Sequence, residues 1–189
     1  MMIGFYNYSV ILTYIGLISS IIGMMFTVNG HYKLAIFCLA FSGLCDMFDG
    51  KIARAMKNRT ADEKKFGIQI DSLCDVVCFG AFPVILCYCL GLKDVFGIMI
   101  LAFYGTASVI RLGYFNVMEE KRQQETTEAR KYYEGLPITT MAIILPILYL
   151  IKPCMGAYFV LVLHIVMLAV GFLLILRFQI GRASCRERV

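Results

Sequence analysis

Residues 32–54 read Tyr32-Lys-Leu-Ala-Ile-Phe-Cys-Leu-Ala-Phe-Ser-Gly-Leu-Cys-Asp-Met-Phe-Asp-Gly-Lys-Ile-Ala-Arg54. The first part is apolar enough to enter a bilayer, yet the run closes on two aspartates and an arginine. A helix needs roughly 20 apolar residues to span a membrane. Besides residues 32–52, five other stretches qualify as candidates: 8–28, 70–91, 95–117, 135–151 and 155–176. The composition agrees. The 189 residues are 60% hydrophobic and 16% charged, whereas soluble domains are nearer half and a quarter. A chain this short cannot bury so much apolar surface in a water-soluble core. This excludes a disordered chain, a nucleic-acid-binding domain and an ordinary cytosolic enzyme. The expected fold is all-α: a polytopic membrane protein with about six transmembrane helices, forming one domain over residues 1–179.

Charge sets the expected orientation. Lys51, Arg54, Lys57, Arg59, Lys64 and Lys65 follow the second stretch, and Lys121, Arg122, Arg130 and Lys131 follow the fourth. The other connections carry Lys33, Lys93 or Lys152 alone. Basic loops stay on the cytoplasmic side, so with six helices both termini are expected there too. Met1 to Tyr8 has no basic residue, so no cleaved signal peptide is expected. Pro137 and Pro146 predict a kinked fifth helix. Six of the eight cysteines lie in apolar runs (Cys38, Cys45, Cys74, Cys78, Cys87 and Cys89) and read as small hydrophobes. Two isolated histidines, His31 and His164, and the absence of paired C-x-x-C motifs argue against zinc. The final decapeptide, residues 180–189, changes composition abruptly and resembles the translation of a sequencing-adapter oligonucleotide; it is expected to be a non-native tail.

Ionisable groups at membrane depth are costly and mark functional sites. Asp46 and Asp49 end the second stretch, and Asp71 and Asp75 begin the third. At about 100° per helical residue, Asp49, Gly50, Ala53 and Arg54 fall at about −60°, +40°, −20° and +80° from Asp46, on one broad face. Gly67, Asp71 and Asp75 recur every four residues and form a second stripe. Four carboxylates converging at low dielectric repel one another strongly. Two divalent cations would neutralise them, and hard ions such as Mg²⁺ or Mn²⁺ choose oxygen ligands. Paired ions of this kind serve in-line displacement at phosphorus. Gly50 and Ala53 leave the face bare for a bulky ligand, and Arg54 supplies a positive charge suited to phosphate.

The pattern Asp46-x-x-Asp49-Gly50-x-x-Ala53-Arg54, a spacer, then Gly67-x-x-x-Asp71-x-x-x-Asp75 resembles the signature of the CDP-alcohol phosphatidyltransferase family. Asp71-Ser-Leu-Cys-Asp-Val-Val-Cys-Phe-Gly80, Arg111-Leu-Gly-Tyr-Phe-Asn116 and Glu134-Gly-Leu-Pro-Ile138 are similar to segments of its serine-using branch, with Gly113 and Tyr114 departing from the usual fourth-helix motif. The resemblance implies a phosphotransferase for substituted phosphate groups. Its substrates would be CDP-diacylglycerol and L-serine, and its products phosphatidylserine and CMP. It also implies two divalent cations (Mg²⁺ or Mn²⁺), a homodimer in the cytoplasmic membrane, and an active site facing the cytoplasm. By position, Asp46 and Asp71 would touch both ions, Asp49 the first and Asp75 the second. Asp75 would also be the catalytic base. Gly50, Ala53, Arg54, Thr60 and Gly67 would bind the CDP moiety.

Arg111 lies about six residues inside the fourth helix, roughly 9 Å deep. It either snorkels to the interface or contacts an anion, the serine carboxylate or a substrate phosphate, with Asn116 beside it. Thr13 and Ser9 either line the nucleotide pocket or pack helices through their hydroxyls. His31-Tyr-Lys33 superficially matches a phospholipase-D-like motif, but it occurs once and without a downstream aspartate. Two other readings stand beside the serine transferase. One keeps the chemistry with glycerol 3-phosphate or inositol phosphate as acceptor, although both demand more basic residues than the helices offer. The other is a cation transporter using the aspartates, although transporter sites favour the bilayer midplane.

Overall fold

The computed structural model describes residues 8–55, 60–125, 132–134, 136–176 and 179–181. The described residues are helical nearly throughout. In order come α1 (Tyr8–Val28), α2 (Tyr32–Ala55), α3 (Ala61–Asp75), a π-helical turn (Val76–Ala81), α4 (Phe82–Leu90) and α5 (Val95–Glu125). A 3₁₀ turn (Ile138–Thr140), α6 (Met141–Met155), a second 3₁₀ turn (Gly156–Tyr158) and α7 (Phe159–Ile175) follow. Two three-residue strands, β1 (Tyr132–Glu134) and β2 (Gln179–Gly181), pair antiparallel. That pairing includes Ile180 and Gly181, the first residues of the segment expected to be non-native.

Each expected apolar stretch falls on helix, with shifted ends. The third begins at Ala61 rather than near residue 70, because Thr60 and Glu63 form a capping box that the sequence reading passed over. The Thr60 hydroxyl accepts from the Glu63 N–H at 3.2 Å, and the Thr60 N–H donates to Glu63 Oε2 at 2.8 Å. The α1 and α4 ends are Schellman turns. Gly30 (φ +78°) lets His31 N–H reach the Phe26 carbonyl at 2.8 Å, and Gly91 (φ +141°) lets Leu92 N–H reach Cys87 at 3.1 Å. Pro146 and Pro153 both lie inside α6.

Four described segments are long and apolar enough to cross a membrane: Val10–Val28, Glu63–Leu90, Val95–Lys121 and Ile138–Ile175. Helix α2 carries Lys33, Asp46, Asp49, Lys51 and Arg54 within its 24 residues, which lowers its hydropathy. The last segment has 38 residues, about 57 Å of helix and nearly twice the hydrocarbon thickness. Gly156, at φ +52°, divides it into α6 and α7.

Large apolar side chains cover the outside, with Val95 77% and Leu150 75% exposed. An apolar exterior on this scale suits lipid as solvent. Inside, helix α2 lies against α1 and α6, and α5 against α7. Small residues permit the closest approaches, as expected where lipid supplies no hydrophobic drive. A Cβ on Gly43 would sit 2.5 Å from the Ala142 Cβ, and one on Gly23 would sit 2.5 Å from Phe82 Cζ. All seven described cysteines are free, with Cys45, Cys74, Cys78 and Cys87 buried, in line with their reading as small hydrophobes.

At one end of the bundle Asp94 caps α5: its Oδ2 accepts from Gly97 N–H at 3.1 Å. Its Oδ1 lies 3.1 Å from His164 Nε2, while His164 Nδ1 donates to the Val160 carbonyl at 2.8 Å. The imidazole thus ties α7 to the start of α5. The Gly97 N–H, with the His164 ring a lesser contributor, holds the Asp94 carboxyl below its ordinary pKa.

Two outcomes follow from this packing. Gly43→Ala forces α2 and α6 apart, because the Ala142 Cβ cannot rotate away, and should cost about 1–3 kcal/mol in a detergent unfolding assay. Asp94→Ala should lower the thermal midpoint at neutral pH. A depressed pKa gives stability that is complete above the ordinary aspartate range and is lost as the pH falls through the lowered value. The gap between wild type and variant should therefore close in strong acid, as read by melting curves across pH.

Candidate active site

Helix α2 presents Asp46 and Asp49 one turn apart, and α3 presents Asp71 and Asp75 one turn apart. The bundle brings the two pairs together. Asp46, Asp49 and Asp71 each offer a carboxylate oxygen, and these oxygens lie within 4.8 Å of one another. Asp75 is absent from that trio but lines the adjoining cleft with Asp46 and Asp49. Asp46 and Asp49 are thus common to both groupings. The cleft holds about 10 Å³ and is walled by Thr13 and Gly16 of α1, Ser42 and Cys45 of α2, and Cys74, Cys78 and Phe79 of the third rod, the continuous run of α3, the π-turn and α4. That is room for about one water-sized sphere.

Asp49 is buried and Asp46, Asp71 and Asp75 are half-buried. Like charges this close, in a medium of low dielectric, are stable only when protonated or neutralised by cations. The donor set is all oxygen and acidic, which fits Mg²⁺ or Mn²⁺ and not a soft ion. The nearby thiols of Cys45, Cys74 and Cys78 line the cleft but do not belong to the carboxylate trio.

Two hydrogen bonds brace the carboxylates. Thr13 Oγ1 donates to Asp49 Oδ2 at 2.6 Å and fixes that carboxylate from α1. Thr13 thus joins α1 to α2 through its hydroxyl and also walls the cleft. Ser72, next to Asp71, donates from Oγ to Asn116 Oδ1 at 2.7 Å and ties α3 to α5. Asn116 therefore stands one residue along from the carboxylate stripe. Sequence reasoning missed Ser72, since only its Asn116 partner, 44 positions away, gives it a place.

The remaining candidates are distributed as follows. Gly50 follows Asp49 on α2, and Gly67 lies one turn before Asp71 on α3. Ala53 and Arg54 belong to the last turn of α2, and their side chains lie outside the described residues, as does that of Ser9. The Thr60 hydroxyl is engaged in the α3 cap. Arg111 does not line the carboxylate cleft. It lines a separate cavity of about 190 Å³ with Ile110, Tyr114, Leu174, Ile175 and Leu176, between α5 and the end of α7.

Acidic residues from two neighbouring helices thus meet at one centre of an apolar helical bundle, where they could hold a divalent cation. Residues 6–176 match the CDP-alcohol phosphatidyltransferase family, and the chain belongs to it. Over 142 residues, 72% of this chain and 50% of the relative, it is 34% identical to a CDP-diacylglycerol–serine O-phosphatidyltransferase of Saccharomyces cerevisiae. It is 29% identical to the archaetidylserine synthase of Methanothermobacter thermautotrophicus over 167 residues, 88% of this chain and 66% of that one. A CDP-diacylglycerol–serine O-phosphatidyltransferase of Mycobacterium leprae is 27% identical over 133 residues, 70% of this chain and 43% of the relative. The chain thus spans between about two fifths and two thirds of the length of these relatives. No solved structure matches it.

Thr13→Val removes the hydroxyl that orients Asp49 without changing the side-chain shape. Loss of such an outer contact typically weakens a metal centre 10–100-fold. The Mn²⁺ concentration for half-saturation should rise by about tenfold, as read by titration of the purified protein.

Proposed function

We propose that this chain is a phosphatidylserine synthase, moving the phosphatidyl group of CDP-diacylglycerol onto the hydroxyl of L-serine. The observation that carries the reading is the meeting of Asp46, Asp49 and Asp71 within 4.8 Å, in a chain of this family whose relatives bear serine-transferase names. In the reaction the serine hydroxyl oxygen forms a bond to the phosphorus that carries diacylglycerol. The bond from that phosphorus to CMP breaks, and CMP leaves with the electron pair.

Asp46, Asp49, Asp71 and Asp75 would hold two divalent cations, Mg²⁺ or Mn²⁺. When bound, such ions neutralise the diphosphate and acidify the attacking hydroxyl. The protein supplies position and proton management. Asp75, set apart from the carboxylate trio, takes the proton from serine. A base of this kind needs reach before it needs a tuned pKa. Thr13 keeps Asp49 turned inward. Gly50, Ala53 and Gly67 leave the two helix faces bare, so the CDP moiety can approach the backbone, and Arg54 answers its charge. Thr60 joins this site through its position at the head of α3. Asn116 and Arg111 are assigned to the acceptor side, Arg111 to the serine carboxylate or a substrate phosphate that reaches its separate cavity.

In this reading α2 also crosses the membrane and α6 and α7 cross separately, giving six spans, with residues 1–179 as one domain and 180–189 foreign to it. The site faces the cytoplasm of a cell whose cytoplasmic membrane holds the protein as a homodimer, with both termini inside. The basic residues after α2 and α5 support that orientation.

CMP release from CDP-diacylglycerol by the purified protein with Mg²⁺ or Mn²⁺ tests the reading. Release should depend on L-serine and not on glycerol 3-phosphate or inositol phosphate. Asp75→Asn should reduce it by about 10²–10⁴-fold, the range for loss of a general base. Release with another alcohol keeps the chemistry and replaces the product. No release with any alcohol overturns the reading and favours ion transport.

A further inference from the structure

The third rod is not a plain α-helix. Residues Val76–Ala81 wind as a π-turn, entered directly from Asp75. The Phe82 N–H reaches back five residues to the Val77 carbonyl. Such turns insert one extra residue, rotating everything on one side by about 100° against the other. Three consecutive residues, Cys78, Phe79 and Gly80, are buried as a result. Cys78 and Phe79 face the carboxylate cleft, while Gly80 faces Ser108 of α5.

Two features at the turn bear on its register. In an α-helix the Phe79 carbonyl would accept from the N–H of residue 83. Residue 83 is Pro, which has none. The carbonyl is paired instead with Tyr104, whose hydroxyl donates to it at 2.6 Å. Tyr104 is fully buried, and Ser108 Oγ donates to its carbonyl at 2.9 Å on the same helix. Just beyond the turn, the Phe82 ring lies close enough to Gly23 of α1 that a Cβ there would stand 2.5 Å from its Cζ. The turn therefore sets the rotation of the upstream part, which carries Asp71 and Asp75, against the downstream part.

We propose that Tyr104 is a positioning residue for the carboxylate centre: with Pro83 it keeps the Phe79 carbonyl out of the α-helical ladder, and the resulting π-turn sets how Asp75 faces Asp46 and Asp49. Tyr104 does not line the carboxylate cleft, and its role rests on the functional reading above.

The test uses Mn²⁺ binding to the detergent-solubilised chain, followed by electron paramagnetic resonance, beside thermal unfolding. Tyr104→Phe should weaken Mn²⁺ binding by about tenfold, whereas Thr106→Ala, which deletes an exposed hydroxyl on the same helix, should not. The double variant Y104F/P83A restores an N–H to the Phe79 carbonyl. It should regain thermal stability and still bind Mn²⁺ weakly, because the new bond closes the α-ladder and turns Asp75 away. If stability and binding return together, the tyrosine only satisfies a carbonyl and the proposal is overturned. If Y104F does not fold, the double variant, with that carbonyl paired, decides alone: wild-type affinity in it overturns the proposal. A wild type that binds Mn²⁺ beside an equally competent Y104F overturns this inference alone. A wild type that binds no Mn²⁺ overturns the functional reading and this inference with it.

Discussion

Mutual repulsion among carboxylates from α2 and α3 is the constraint to which the rest of this structure answers. Membrane-depth charge is expensive, and the Asp46, Asp49 and Asp71 oxygens are held within 4.8 Å. In the proposed reading that cost is met by holding the carboxylates rigidly enough for divalent cations to neutralise them. The rigidity comes from the packing. Thr13 on α1 grips Asp49, and Asn116 on α5 grips the residue after Asp71. Helices α1 and α5 therefore flank the site on two sides, and neither carries a carboxylate of its own into it.

The bundle achieves this with close contacts more than with hydrophobic drive. Gly16 and Gly23 of α1 and Gly43 of α2 each abut a neighbour tightly enough that a methyl group would force a shift. Gly16 lines the cleft itself, where a Cβ would stand 3.2 Å from that of Cys45. The small residues that let α1 and α2 approach thus also set the width of the cleft beside Asp49.

How much of this was legible in the sequence follows from the range of each signal. The apolar stretches and the two aspartate pairs were readable because their periods are local: one turn separates Asp46 from Asp49 and Asp71 from Asp75. The early start of α3 was equally local, written in Thr60 and Glu63, but the apolar run drew attention to residue 70 instead. Other features lay beyond reach. The Thr13–Asp49 bond joins residues 36 apart and the Ser72–Asn116 bond residues 44 apart, so neither has a sequence period. Pro83 was a half-visible clue: its missing N–H orphans a carbonyl, but only the fold names Tyr104 as the donor. Arg111 was legible as an intramembrane charge, while its cavity with Leu174 and Leu176 depends on where α7 ends.

The capping box at Thr60 makes α3 longer than its apolar part. From Ala61 to Asp71 the helix rises about 15 Å, and its opening turns are polar, with Glu63, Lys64 and Lys65 among them. The carboxylate stripe of α3 is thus carried by a helix that starts at the Thr60 hydroxyl, about three turns before the first of its aspartates.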